Sequence, residues 1–281
     1  MADTPLQVTG SPAKAEEPRL ATMEVVTGVF KGWVAGVQEY SLPSFRALKN
    51  IPSRPFYFKD LIEQMDDIGV GSLPIVLLSG FFIGAVMVLQ TGAQFTRFGQ
   101  TALTGDVVSL ALVRELGPAL SGLLVAGRCA SGIASELGSM LVTEQVDAMR
   151  AMGTDPSRKL VTPRVLATLS MTPLLCALMD FIGLIGGCVA AFFSLRLNVV
   201  EFWTRAIKIL EFPDIMQGML KPLVFGFILS TVGCYKGLTV RGGTQGVGRA
   251  TTQAVVVASV LIIISDTFLT KLCLYLADKV F

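Results

Sequence analysis

The sequence predicts an all-α, polytopic membrane protein: an N-terminal amphipathic helix at the membrane interface followed by about five transmembrane helices. Three observations carry that prediction. The 281 residues are 52% hydrophobic and only 16% charged, whereas an ordinary soluble domain has about 25% charged residues. Five apolar stretches each reach the length that a helix needs to cross a hydrocarbon core of roughly 30 Å. The loops that would lie on one side are basic, with Arg150, Arg158, Lys159 and Arg164 in one and Lys236, Arg241 and Arg249 in another, and such loops face the cytoplasm.

Residues 1–21 are rich in Pro, Ala, Glu and Thr without an apolar run, which suits a disordered cytoplasmic tail. From Thr22 to Gln38, Val26, Val29, Phe30, Trp33, Val34 and Val37 recur at helical spacing. The apolar length is too short to span, so this segment reads as a helix lying in the interface. Phe56, Tyr57 and Phe58 beside Arg54 and Lys59 form an aromatic and basic anchor at headgroup level, and residues 22–70 together make an interfacial and elbow region. Between Asp67 and Arg97, 29 residues carry no charge, which places the first crossing at Leu73 to Phe95. Gly80 and Gly84 give that helix a small-xxx-small pair for close packing.

The second crossing begins near Val107 and runs past Arg114, Glu115, Arg128 and Glu136. Glu115 and Arg128 are about 20 Å apart along a helix, less than the thickness of the apolar slab, so at least one of these charges lies inside it. A charge there must face protein, a partner or water. Gly122, Ala126, Ala130, Ala134 and Gly138 recur every fourth residue and form a ridge without bulk, suited to packing between helices or between two copies.

After this crossing the chain carries signals for a short water-facing helix over residues 144–152. Thr143 is the expected N-cap, Glu144 favours the positive helix end, Gly153 fits a left-handed C′ position, and Pro156 stops continuation. So short a helix is marginal alone and is expected to dock on another surface, with an ordinary connecting loop as the competing reading. The third crossing is Val165 to Leu195, broken only by Asp180. The segment 196–214 reads as a loop with a helical turn or two. The fourth crossing is Ile215 to Tyr235 and the fifth Thr252 to Leu276. Five crossings from a cytoplasmic N-terminus leave the C-terminus on the outer side.

Several functions are excluded by composition. A net charge of +2 with dispersed basic residues implies no nucleic acid. With no histidine, Ser-His and Cys-His catalysis and most zinc sites are excluded, and no metal site is expected. The five cysteines lie in apolar segments without a CxxC pair and read as small buried hydrophobes. Residues 243–250, GTQGVGRA, narrowly miss the P-loop pattern: Arg249 replaces the lysine and Ala250 the hydroxyl residue, and no strand precedes them. A tight turn, with Thr251 or Thr252 capping the last helix, is the better reading.

RELGP at Arg114 to Pro118, AGR at Ala126 to Arg128, VTEQ and DA between Val142 and Ala148, MGTDP at Met152 to Pro156 and PR at Pro163 to Arg164 resemble the MlaE family of ABC-transporter permeases. The resemblance extends to Gly242-Gly243, GVGRATT at Gly246 to Thr252 and Asp266. It implies a homodimeric permease domain over residues 71–281 in a bacterial inner membrane, moving phospholipid or a similar lipid and maintaining outer-membrane lipid asymmetry. Its implied partners are a cytoplasmic ABC ATPase that holds the ATP and magnesium, an MCE-domain lipid-binding protein outside, and in some systems a STAS-domain regulator. No cofactor and no catalysis are expected of this chain.

In this family the RELGP region borders a lipid-holding cavity, which makes Arg114 and Glu115 candidate lipid-binding residues with Leu89, Gln90, Arg97 and Phe98 as neighbours. A structural ion pair is the competing reading for the two charges. The short helix would insert into the ATPase, through Glu144, Gln145, Asp147, Met149 and Arg150. Asp180, Lys221 and Asp266 are expected to pair with one another. An ion-coupled transporter or channel is the alternative function, but five unequal crossings do not divide into repeats, and an intramembrane enzyme lacks candidate catalytic pairs.

Overall fold

The computed structural model describes residues 57–280. The expected tail over 1–21, the interfacial helix over 22–38 and the anchor residues Arg54 and Phe56 lie outside the described residues. Every regular element among the described residues is helical, and five helices are long and apolar enough to cross a membrane.

The elbow is α1 (Phe58–Gly69), which continues through a tight turn at Val70–Ser72 into α2 (Leu73–Arg97). Helix α3 (Thr101–Val142) is a long span interrupted by two π-turns, Leu112–Leu116 and Ala126–Ala130. The short α4 (Gln145–Ala151) follows, then α5 (Ser157–Leu195), α6 (Val199–Lys208), α7 (Phe212–Leu238) and α8 (Gly243–Val280). Connectivity puts α4 and the α7–α8 turn at one end of the bundle, here the basic end, and α6 at the far end.

Two seams without bulk hold the spans together. Along α2 and α5, which run parallel, Gly80 meets the Met179 backbone, a Cβ at Gly84 would fall on the Gly183 carbonyl, and one at Gly186 would fall on that of Phe81. Backbones approach this closely only because no side chain intervenes, and such contact replaces the hydrophobic drive that lipid cannot supply. The second seam is the predicted ridge on α3. Gly122, Ala126, Ala130, Ala134 and Gly138 are all buried, and they pack within the chain. Gly122 faces Phe225, the Ala130 and Ala134 backbones meet Gly233 and Gly237 of α7, and Gly138 meets Val240 and Val247. Ala250, Ala254, Ala258 and Ile262 make the matching buried stripe on α8.

Three local expectations are corrected. The segment expected as a loop with a turn or two holds the ten-residue α6, whose Asn198 side chain caps it by accepting from the Val200 N–H at 2.9 Å. The fourth crossing begins earlier than expected, because Glu211 and Asp214 form a capping box that satisfies the free N–H groups of the first turn. Residues 243–250 are helical, not a tight turn. The turn is confined to Gly242 and Gly243, with φ of 92° and 64°, values open to glycine at no steric cost. Thr251 and Thr252 bond back to the Gly248 carbonyl and cap nothing.

Candidate functional site

The site is built where α3 loses its regular hydrogen bonding. Pro118 has no N–H, so the carbonyl four residues earlier, that of Arg114, has no helical donor. The helix opens into the Leu112–Leu116 π-turn, with the Gly117 N–H bonding the Leu112 carbonyl, and π-turns of this sort recur at functional sites. The freed Arg114 carbonyl accepts from Lys221 Nζ at 2.9 Å.

Lys221 is 0% exposed, on α7 just before Pro222. Its ammonium also reaches Glu115 Oε2 at 2.6 Å and Asp266 Oδ1 at 3.2 Å. Hydrogen bonds to the Arg114 carbonyl and Glu115 use two of the ammonium's three donors, while Asp266 Oδ1 is held by charge alone, without a hydrogen bond. Gln217 donates to Glu115 at 3.3 Å, and the Thr270 hydroxyl lies 3.2 Å from Glu115 Oε2. One turn nearer the far end, Arg114 pairs with buried Asp214 at 2.5 Å. Arg114 and Glu115 therefore pair with α7 and not with each other. Five ionisable side chains are held together, yet the side chains of Arg114 and Glu115 stay 39% and 42% exposed. A buried ammonium backs an accessible cation and an accessible anion, an arrangement that can hold a zwitterionic or anionic headgroup beside apolar walls.

Lys221 and Asp266 pair as expected. Asp180 does not join them: its Oδ2 receives only the Cys176 thiol at 3.7 Å, and its Oδ1, packed against the Cα of Gly117, has no hydrogen-bond partner. Leu89, Gln90, Arg97 and Phe98 are exposed toward the far end of α2, Phe98 at 78%. Among the described residues no hydrogen bond or ion pair joins them to Arg114 or Glu115, whose π-turn packs on α5 and α7.

At the basic end, α4 is docked by one face. Val146 is fully buried, in a core with Ile133, Leu137, Leu160, Val161 and Val165, and Met149 packs against it. Glu144, Gln145, Asp147 and Arg150 face outward with Met152, and Arg150 pairs with Asp147 at 2.9 Å. The C-terminal cap is as expected. Gly153 has φ 76°, its N–H bonds the Arg150 carbonyl, and the Thr154 N–H bonds that of Met149, a complete Schellman motif. The N-terminus differs. Thr143 bonds back to the Ser139 carbonyl at 2.8 Å and so finishes α3, while Glu144 occupies the cap position at φ 60° without a side-chain cap.

Sequence reasoning missed Asp214, Gln217 and Thr270, which lie about 100 or more positions from their partners on α3. It also missed the clamp made by Arg128, which donates to the Asp67 carbonyl at 2.7 Å and pairs with its carboxylate at 3.0 Å. One signal was available: the missing N–H of Pro118 called for a donor opposite Arg114.

Five apolar spans around a cluster of ionisable side chains, with one capped helix docked at the basic end, define a polytopic membrane protein. The family described as "Permease MlaE" matches residues 61–272. A probable ABC transporter permease protein of Rickettsia prowazekii is 45% identical over 83% of this chain and 90% of its own length. The intermembrane phospholipid transport system permease protein MlaE of Haemophilus influenzae is 34% identical over 81% and 88%. The chloroplastic protein TRIGALACTOSYLDIACYLGLYCEROL 1 of Arabidopsis thaliana is 37% identical over 76% and 61%. The chain belongs to the MlaE permease family, and is a transport subunit.

Proposed function

We propose that this chain is the membrane subunit of an ATP-driven transporter that moves phospholipid across or out of a bacterial inner membrane, and that it works as two copies on a separate ATPase. The observation that carries the proposal is the partly exposed Arg114 and Glu115, held by buried Asp214 and Lys221 inside a largely apolar bundle. A lipid needs a polar site for its headgroup and apolar surface for its chains, and the exposed far end of α2 at Leu89 and Phe98 supplies the second. The Haemophilus relative's name, an intermembrane phospholipid transport system permease, supports the same substrate.

Hydrolysis belongs to the partner, which binds ATP and magnesium. Helix α4 offers that partner Glu144, Gln145, Asp147 and Arg150 on a rim with Met149 and Met152, and Val146 transmits its displacement to the bundle. The basic end then faces the cytoplasm, and the far end faces an MCE-domain lipid carrier. A native mass spectrum of the complex purified with its ATPase is expected to show two copies of this chain and bound phospholipid. A lipid-free single copy that does not retain the ATPase would overturn the proposal.

A further inference from the structure

Two side chains beside α4 have no part in the docking just described. The Arg164 side chain is only 4% exposed at the start of α5, where its guanidinium reaches Glu136 of α3 at 2.7 Å. Its other terminal nitrogen donates to the Leu160 carbonyl at 2.7 Å. Leu160 lies in the π-turn Ser157–Val161, the first turn after the α4 segment. One planar fork therefore joins the last turns of α3 to the first turns of α5 and fixes the irregular turn between them.

The location gives this pair its consequence. The segment carrying α4 turns at each end through a left-handed residue, Glu144 at φ 60° and Gly153 at φ 76°. Between α3, α4 and α5 the contacts are otherwise apolar, through Ile133, Leu137, Val146, Leu160 and Val165. Apolar surfaces of this kind slide past one another in small shears. A push on α4 could thus be absorbed as slippage before it reached both spans. The Glu136–Arg164 pair is a directional link between α3 and α5 themselves, which holds their basic ends in register when α4 is pushed.

Resting on the functional reading above, we propose that Glu136 and Arg164 are positioning residues that make the basic ends of α3 and α5 move as one body when α4 is displaced. The ATPase stroke then reaches both membrane helices together.

The test uses the complete complex with its ATPase in proteoliposomes containing fluorescent phospholipid, measuring ATPase retention, ATP hydrolysed and lipid moved. Glu136→Ala removes a half-exposed side chain and leaves Arg164 bonded to Leu160. It is expected to retain the ATPase and to hydrolyse ATP, while lipid moved per ATP falls about fivefold, the lower range of measured site-to-site coupling. Glu136→Gln keeps an acceptor for Arg164 and is expected to retain at least half of the wild-type ratio. A Glu136→Ala complex whose yield falls but whose lipid per ATP is unchanged would make the pair merely structural and overturn the proposal. Absence of ATP-dependent transfer in the wild type would instead overturn the functional reading, and the bracket's role with it.

Discussion

Replacing Lys221 with methionine is the most informative single perturbation of the charge cluster. Methionine is similar in length and apolar, so it leaves little cavity and isolates the electrostatic loss. Glu115 and the Arg114 carbonyl lose their hydrogen-bond donor, and Asp266 loses its ion-pair partner. Glu115 is 42% exposed and recovers part of its loss from water and from Gln217. Asp266 is only 21% exposed, and among the described residues it pairs with no other cation. The cost is therefore close to that of one unpaired charge in the slab, about 3 kcal/mol, where the translocon scale and the range for broken buried pairs meet. Thermal unfolding of the detergent-solubilised protein, followed by size exclusion, should show a fall of several degrees. Lys221→Met combined with Asp266→Asn should recover most of it, because the stranded charge is gone. Wild-type thermal stability for Lys221→Met alone would refute the reasoning.

Three further outcomes follow from other parts of the bundle. Gly84→Leu places a branched side chain on the Gly183 carbonyl and is expected to abolish recovery of folded protein, since the α2–α5 seam cannot open locally; folded protein at wild-type yield would contradict that seam. Val146→Asp exchanges a fully buried apolar side chain for a carboxylate, at a cost on the order of 2–4 kcal/mol. The loss falls on α4, so a limited-protease digest should cut at residues 143–156 while the spans persist. A photo-crosslinker at Leu89 or Phe98 should capture phospholipid; failure there with success on the outward face of α8, at Ile263 or Phe268, would remove these residues from the lipid path.

The spans were legible because a bilayer makes few demands and makes them strongly. A continuous apolar run such as 68–96 must form a helix that satisfies its own backbone, and α2 begins at Leu73 as its sequence implies. Gly153 was legible for the same local reason, since a left-handed C′ position has few alternatives. Helix starts were less so. Thr143 could serve either neighbour, and the end of α3 took it. Glycines at 246 and 248 look like turn residues, yet lie within α8, where close packing of Gly246 on the Arg241 backbone requires the missing side chain.

The candidate site was half legible. Arg114 and Glu115 stood out because ionisable groups in a membrane segment are expensive. Their partners Asp214 and Lys221 are set by how α7 lies along α3, and no local pattern encodes that. Asp180 looked equivalent to Asp266 in the sequence, but it lies against Gly117 and Cys176 and makes no ion pair among the described residues.

The central claim is that ATP spent on a partner moves lipid through this bundle by way of α4. The most direct measurement is transfer of labelled phospholipid by the reconstituted complex, comparing wild type with a Glu144→Lys/Asp147→Lys chain. The account predicts ATP-dependent transfer in the first and loss of both ATPase association and transfer in the second. Transfer that proceeds equally well without ATP, or that survives the double charge reversal undiminished, would contradict it.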